Sequence, residues 1–237
     1  MNKPASELRP VEDRTLRAQV RRQILDQVLG GHLKPGERLI ETKLSAQLQV
    51  SRAPLREALR ELVDQGILVS EPYKGFRVRP VSERDLTELF SMRTALEKFA
   101  FTLIWPMRTA DALSELDRRH DSLMSSRAAG DQAPTIEREI DFHGWVYETA
   151  DHRLLLDHWA RLSQLVRIYM SLHHNLHGSH GVFREMTTLY RDLAHGDSLD
   201  AMLAHLDEHM VQGFDSVQTG LKDSSMAKAP PAAPEPR

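Results

Sequence analysis

The 237-residue sequence predicts a mostly α-helical chain in two parts: a winged helix-turn-helix over residues 14–80 and an antiparallel all-helical bundle over residues 81–221. Three observations carry this. Residues 50–62, VSRAPLREALREL, combine a helix start, an apolar stripe and a row of arginines. From residue 82 onward, apolar residues recur at helical spacing, with no strand-like alternation. Charge is also divided. Residues 1–80 hold 15 Lys+Arg against 10 Asp+Glu, a net +5, whereas residues 81–237 hold 16 against 24, a net −8. The near-neutral total of −3 conceals a basic head, suited to phosphate, on an acidic body.

In chain order, residues 1–13 and the Pro- and Ala-rich tail 222–237 have too few large apolar side chains to offset the entropy of ordering, and are expected to be disordered. The opening MNKPASELRPVEDR has no apolar run, so no signal peptide is expected. No stretch is long and apolar enough to span a membrane, and a cytoplasmic location is expected. The chain has no cysteine, which excludes disulfides, thiolate zinc sites and thiol catalysis.

Residues 14–30 predict a first helix with Leu16, Val20, Ile24 and Val28 on one face, stopped by Gly30-Gly31. Lys34-Pro35-Gly36 is a tight turn, and residues 41–48 are a short second helix whose Leu44 and Leu48 pack on the third. Ser51 is the N-cap of that third helix, and Pro54 sits in its first turn, where a missing N–H costs nothing. Leu55, Leu59 and Leu62 form its buried stripe; Arg52, Arg56 and Arg60 repeat every four residues on another face. Such a helix packs by one side and enters a DNA groove by the other; a plain solvated basic face is the alternative. Strands at residues 67–71 and 76–79, joined through Pro72-Tyr73-Lys74-Gly75, complete a wing.

The head resembles the DNA-binding domain of the GntR family of bacterial transcription regulators. The matching words are LKPGERL, LSAQLQVSRAPLREALRELVDQGILV and YKGFRV. The resemblance implies that Arg52 and Arg56 contact DNA and that Gly75, at the wing tip, approaches the minor groove. Ser51, Arg60 and Lys74 join the candidate set. Some relatives carry a basic residue ten positions before Arg52; here that position is Thr42, for which Lys43 is the substitute.

In the body, Ser82 followed by Asp85 reads as a capping box. The helix it opens has Leu86, Leu89, Phe90, Leu96, Phe99, Ala100 and Leu103 as its apolar face, and Pro106 ends it. Further helices are expected over about 109–129, 135–150, 152–176, 182–195 and 198–220. The last has the stripe Leu199, Leu203, Leu206, Met210, Phe214, Val217 and Leu221. The words FSMRTALEKFA, DFHGWVYETADHRLLLDHW and AHGDSLDAMLAHLDEHM resemble the all-helical FCD domain of the FadR subgroup of the same family.

That resemblance implies an effector-binding and dimerising body, often with a divalent metal (zinc, nickel or manganese) held by an Asp and three His. Here the matching ligands are His143 and His209, with Glu139 where the family has Asp. Asp141 points roughly 200° away from His143 on the helix. The third ligand position falls at Met186 or Thr187, so the set is incomplete. The alternative is that His143 and His209 are hydrogen-bonded residues with no metal. His173, His174, His177 and His180 read as a solvated loop, and His205 as a rim residue. An organic-acid effector needs a cation. Arg93 and Arg167 lie beside apolar stripes where a guanidinium clamps a carboxylate, with His143 and His209 as further contacts. For these arginines a structural salt bridge, to Glu97 or to a neighbouring helix, is the alternative.

No G-x-S-x-G or H-E-x-x-H word is present, so no enzyme is expected. The reading is a homodimeric repressor on a palindromic double-stranded DNA operator, controlled by a small carboxylate effector. A metal-dependent enzyme with a vestigial head, and a ligand-independent DNA binder, stay open as alternatives.

Overall fold

The structure, a computed structural model, describes residues 16–177 and 182–226. In the head, α1 (Leu16–Leu29), β1 (Arg38–Leu39), α2 (Glu41–Leu48) and α3 (Arg52–Asp64) precede a hairpin of β2 (Leu68–Glu71) and β3 (Gly75–Val78). The sheet order is β1–β3–β2, antiparallel throughout, with Arg38 opposite Arg77 and Ser70 opposite Phe76. β1 is two residues long, too short for a periodic pattern, and the sequence reading leaves it out. The wing turns through Tyr73 and Gly75 at φ 63° and 82°. Gly75 holds the left-handed backbone that only glycine adopts freely.

Val20, Ile24 and Val28 of α1 pack with Leu55, Ala58, Leu59 and Leu62 of α3 and with Ile67, Leu68, Phe76 and Val78 of the wing. Two expectations need correction. Leu16 is half exposed and does not join this core. Ser51 is the N-cap residue of α3 by backbone, but its side chain makes no capping hydrogen bond.

The body comprises α4 (Glu83–Ile104), a 3₁₀ turn (Trp105–Met107), α5 (Ala110–Ala129), α6 (Gln132–Thr149), α7 (Arg153–His177), α8 (Val182–His195) and α9 (Leu199–Met226). The Ser82–Asp85 capping box is present in both directions. The inward face of α4 differs from expectation. Phe99 is 46% exposed, whereas Arg93 and Glu97 lie on the buried stripe with Leu86, Leu89, Ala100 and Ile104. α7 stays helical through His177, so most of the expected His-rich loop is helix, and His173 is buried. The side chains of His174 and His177, and all of His180, lie outside the described residues. α9 continues to Met226, into the segment expected to be disordered. The side chains of Val217 and Leu221, residues 1–13 and the tail from 227 also lie outside the described residues.

Head and body meet at the end of α1. Ile168 of α7 is buried in the head's own core. The last carbonyls of a helix lack intrahelical partners. Here the body supplies them: the Ser171 hydroxyl donates toward the carbonyls of Val28 and Leu29, each 2.9 Å away. Gln132 Nε2, at the start of α6, donates to Leu29 O at 2.7 Å.

Candidate DNA-reading face and buried polar cluster

The head places its candidate residues outward. Thr42, Lys43, Ser51, Arg52, Arg56 and Arg60 are exposed on α2 and α3, and Lys74 is exposed on the wing. The leucines of α3 take the opposite side. Arg56 is held by Glu41 of α2, Nε to Oε2 at 2.6 Å, and this pair raises its already high pKa. The pair aims the guanidinium from a fixed base. Tyr73, missed in the sequence reading, projects fully exposed from the wing tip. An aromatic at a left-handed turn position is the signal that marks it.

The body holds a second constellation, to which all six of its α-helices contribute. Glu97 on α4 is fully buried. Its Oε1 accepts from His143 Nδ1 and from the Tyr190 hydroxyl, both at 2.9 Å, and its Oε2 accepts from Arg93 Nε at 3.2 Å. On the other side of the imidazole, His143 Nε2 lies 3.6 Å from Glu139 Oε1. Glu139 Oε2 in turn accepts from Arg127 of α5 at 2.5 Å. The result is one continuous row, Arg93–Glu97–His143–Glu139–Arg127, with the histidine at its centre. His209 and His205 of α9 close it. Ring centroids of His143 and His209 are 5.2 Å apart, and those of His205 and His209 5.6 Å. Trp159 forms a wall, with Tyr147 stacked on it at 4.6 Å and the Arg93 guanidinium 5.9 Å from its centroid. Gly144 permits this approach: a Cβ there would meet Trp159 Nε1 at 3.1 Å.

Burial pushes Glu97 up, but His143 and Arg93 outweigh it and hold the carboxyl down at about 2. Glu139 is likewise pushed up by burial and pulled further down by Arg127 and His143. Burial drives His209 well below its ordinary value, helped by His143 and Arg93. Burial also lowers His205. The cluster therefore contains ionised carboxylates and neutral α9 histidines at neutral pH.

Seven buried side-chain atoms among the described residues have no hydrogen-bond partner, and all seven belong to this cluster: Arg93 Nη2, Arg127 Nη1, His143 Nε2, Tyr147 Oη, His209 Nδ1 and both ring nitrogens of His205. Buried polar groups are normally paired, because leaving one unpaired costs roughly 1–3 kcal/mol. Their concentration in one place makes this cluster the candidate binding site of the body.

The structure brings Glu139, His143, His209 and Arg93 together and leaves Arg167 out. Arg167 forms a two-pronged pair with Glu137 at 2.7 and 2.9 Å, away from the cluster. Arg93 makes the Glu97 pair weighed as its alternative. His205, expected at the rim, is 3% exposed and inside. Glu97, Arg127, Tyr147 and Tyr190 were missed. Their one sequence signal is the charged pair Arg93/Glu97 interrupting the apolar stripe of α4.

The residues do not fit a metal ion. A divalent ion needs three or more lone pairs directed at one point. Glu139 is engaged by Arg127 and Glu97 is shared among three donors, so neither carboxylate is free to complete a ligand set with the histidines. Among the described residues no three His, Cys, Asp or Glu are grouped to hold a metal.

A basic winged helix on a helical body with an unsatisfied polar interior defines a ligand-responsive DNA-binding regulator. Residues 16–78 match the family described as "Bacterial regulatory proteins, gntR family", and residues 88–212 match the FCD domain. The chain belongs to the GntR family of transcription regulators, in the group that carries an FCD domain. It is 29% identical over 184 residues to the Nta operon transcriptional regulator of Aminobacter aminovorans, covering 76% of this chain and 86% of that one. It is 33% identical over 152 residues to the regulator McbR of Escherichia coli, covering 62% and 69%. The solved structure of E. coli McbR/YncC superimposes with a TM-score of 0.70 at 26% identity, over 87% of this chain and 99% of that one. The gluconate operon repressor of Bacillus licheniformis is 25% identical over 201 residues, covering 83% and 81%. No helix among the described residues is long and apolar enough to cross a membrane.

Proposed function

We propose that this regulator is a homodimeric repressor whose operator affinity is set by a small organic acid bound in the buried cluster. The observation that carries the reading is the concentration of all seven unpartnered buried polar atoms at Arg93, Arg127, His143, Tyr147, His205 and His209. Relatives described as repressors support the sign of regulation. Two exposed apolar residues of α4, Met92 and Phe99, and Val211 on neighbouring α9 offer surface to a second copy. Two heads related by a twofold axis read a palindrome. The metal-dependent enzyme is the weaker reading. Its general base would have to be a carboxylate that Arg93 or Arg127 holds ionised far below neutral pH, which makes a poor proton acceptor.

The geometry also supplies a route to the head. Gln132, Glu139 and His143 share one face of α6, seven and eleven residues apart. A ligand that moves Glu139 moves Gln132, and with it the cap on α1. The test is a DNA duplex enriched by the full-length protein from a random pool. Its affinity, read by fluorescence anisotropy, should change at least about fivefold with one of acetate, lactate, succinate or citrate. Unchanged affinity with every acid tried, each shown to bind, would refute control of the operator by this site.

A further inference from the structure

We propose that the body grips its effector without a metal ion, the positive charge coming from Arg93 and Arg127. This rests on the reading that the buried cluster is the effector site. Two buried carboxylates with His143 and His205 each in ring contact with His209 have the residue types of a divalent centre. Their surroundings argue otherwise. Each carboxylate already accepts from its own guanidinium, Glu97 from Arg93 and Glu139 from Arg127. A divalent cation would have to displace both guanidiniums from the same oxygens and leave two buried arginines without a counter-charge, a costly arrangement.

Two guanidinium N–H groups of the cluster lack an acceptor, whereas His143 Nε2, on a ring that donates through Nδ1, lacks a donor. Arg93 Nη2 and Arg127 Nη1 are buried N–H groups with nothing to donate to. A guanidinium donates and never accepts, so these atoms call for an oxygen bearing lone pairs. The two atoms lie at opposite ends of the row, so a carboxylate at either fork supplies the lone pairs that one of them lacks, and a second acidic group on the same molecule reaches the other. The neutral imidazoles of His205 and His209 and the Tyr147 hydroxyl each both donate and accept, which suits a hydroxyl or second polar group on the same molecule. The ligand class is therefore a small carboxylic acid, preferably carrying a hydroxyl or second carboxyl group. Arg127 sits in the last turn of α5, where a cation also complements the helix dipole; that role alone leaves Nη1 unexplained.

The experiment uses the full-length protein stripped with chelator. Zinc, nickel and manganese are each titrated by calorimetry, with bound metal measured after desalting. Acetate, lactate, malate, succinate and citrate are screened by thermal shift on the same metal-free protein. At least one acid should stabilise the metal-free wild type. Arg93→Ala and Arg127→Ala should weaken that acid by at least about tenfold. Should either alanine variant misfold, Arg93→Lys or Arg127→Lys keeps the charge on the carboxylate and loses the fork, and the same weakening is expected. One equivalent of metal bound by wild type and lost in His143→Ala overturns the proposal but leaves the effector site standing. So does an acid whose affinity ignores both arginines yet depends on His143 or His209. No stabilisation by any acid, with metal or without, overturns the effector-site reading itself.

Discussion

Glu97→Gln removes the charge at the centre of the buried row while keeping its shape. In the wild type that carboxylate accepts from His143, Tyr190 and Arg93, and is fully buried. The amide leaves the Arg93 guanidinium, 6% exposed, without its counter-charge. Breaking a buried pair from one side costs about 3–5 kcal/mol. The pH dependence provides a second, independent magnitude. The Glu97 carboxyl sits at about 2 when folded, against an ordinary value of 4.5. A depressed folded pKa contributes stability above the unfolded pKa and loses it as pH falls toward the folded one. That contribution is about 3 kcal/mol at pH 7 and about half of that at pH 3. Urea unfolding of the two proteins from pH 7 to pH 3 measures both effects. Wild type should exceed the variant by several kcal/mol at pH 7, and the gap should narrow steadily below about pH 5. A gap under about 1 kcal/mol at pH 7, or one constant with pH, would refute the charge assignment of the row.

Three further outcomes are expected. Arg52→Ala and Arg56→Ala should each weaken binding to the enriched duplex by about 1–3 kcal/mol in an anisotropy titration while the proteins stay folded; wild-type affinity in both would place the reading face elsewhere. Glu41→Ala should weaken the same duplex less than Arg56→Ala does, because it releases the guanidinium without removing it; an equal or larger loss would make Glu41 itself the contact. Ser171→Ala combined with Gln132→Ala removes both side-chain donors from the Leu29 carbonyl, at about 1–3 kcal/mol in denaturant unfolding, and should reduce the effect of effector on DNA binding; a double variant with full coupling would show that the α1 cap does not transmit it.

The head was legible because its signals are local. Leu55, Leu59 and Leu62 announce their face at helical spacing, and Ser82 with Asp85 announces a helix start, each within a few residues. Glu139 and His143 were legible for the same reason, being four apart on one helix. Arg127 and Tyr190 were not, since α5 and α8 bring them to His143 only after the bundle packs. Phe99 was assigned inward by hydrophobicity alone, yet Arg93 and Glu97 took the inward face because each satisfies the other there. Arg167 and Arg93 look alike in sequence, each a cation beside an apolar stripe. Only packing shows that Glu137 claims the first and the buried row the second. His173 and its neighbours were read as loop from polarity and flanking glycines. α7 nevertheless carries them as helix, since Ile168 and Ser171 anchor its far end on the head.

Control of the operator by the buried cluster requires that this site and the DNA face share a coupling free energy. The direct measurement is a closed thermodynamic cycle: duplex affinity with and without the stabilising acid, and acid affinity with and without duplex. Linkage requires both ratios to be equal, and a regulator of this design should show roughly 5–150-fold in each. Arg93→Lys should bring both ratios toward one together, while leaving affinity for the duplex in the absence of acid as in wild type. An acid bound equally well by free and DNA-bound protein would contradict the claim, however tightly it binds.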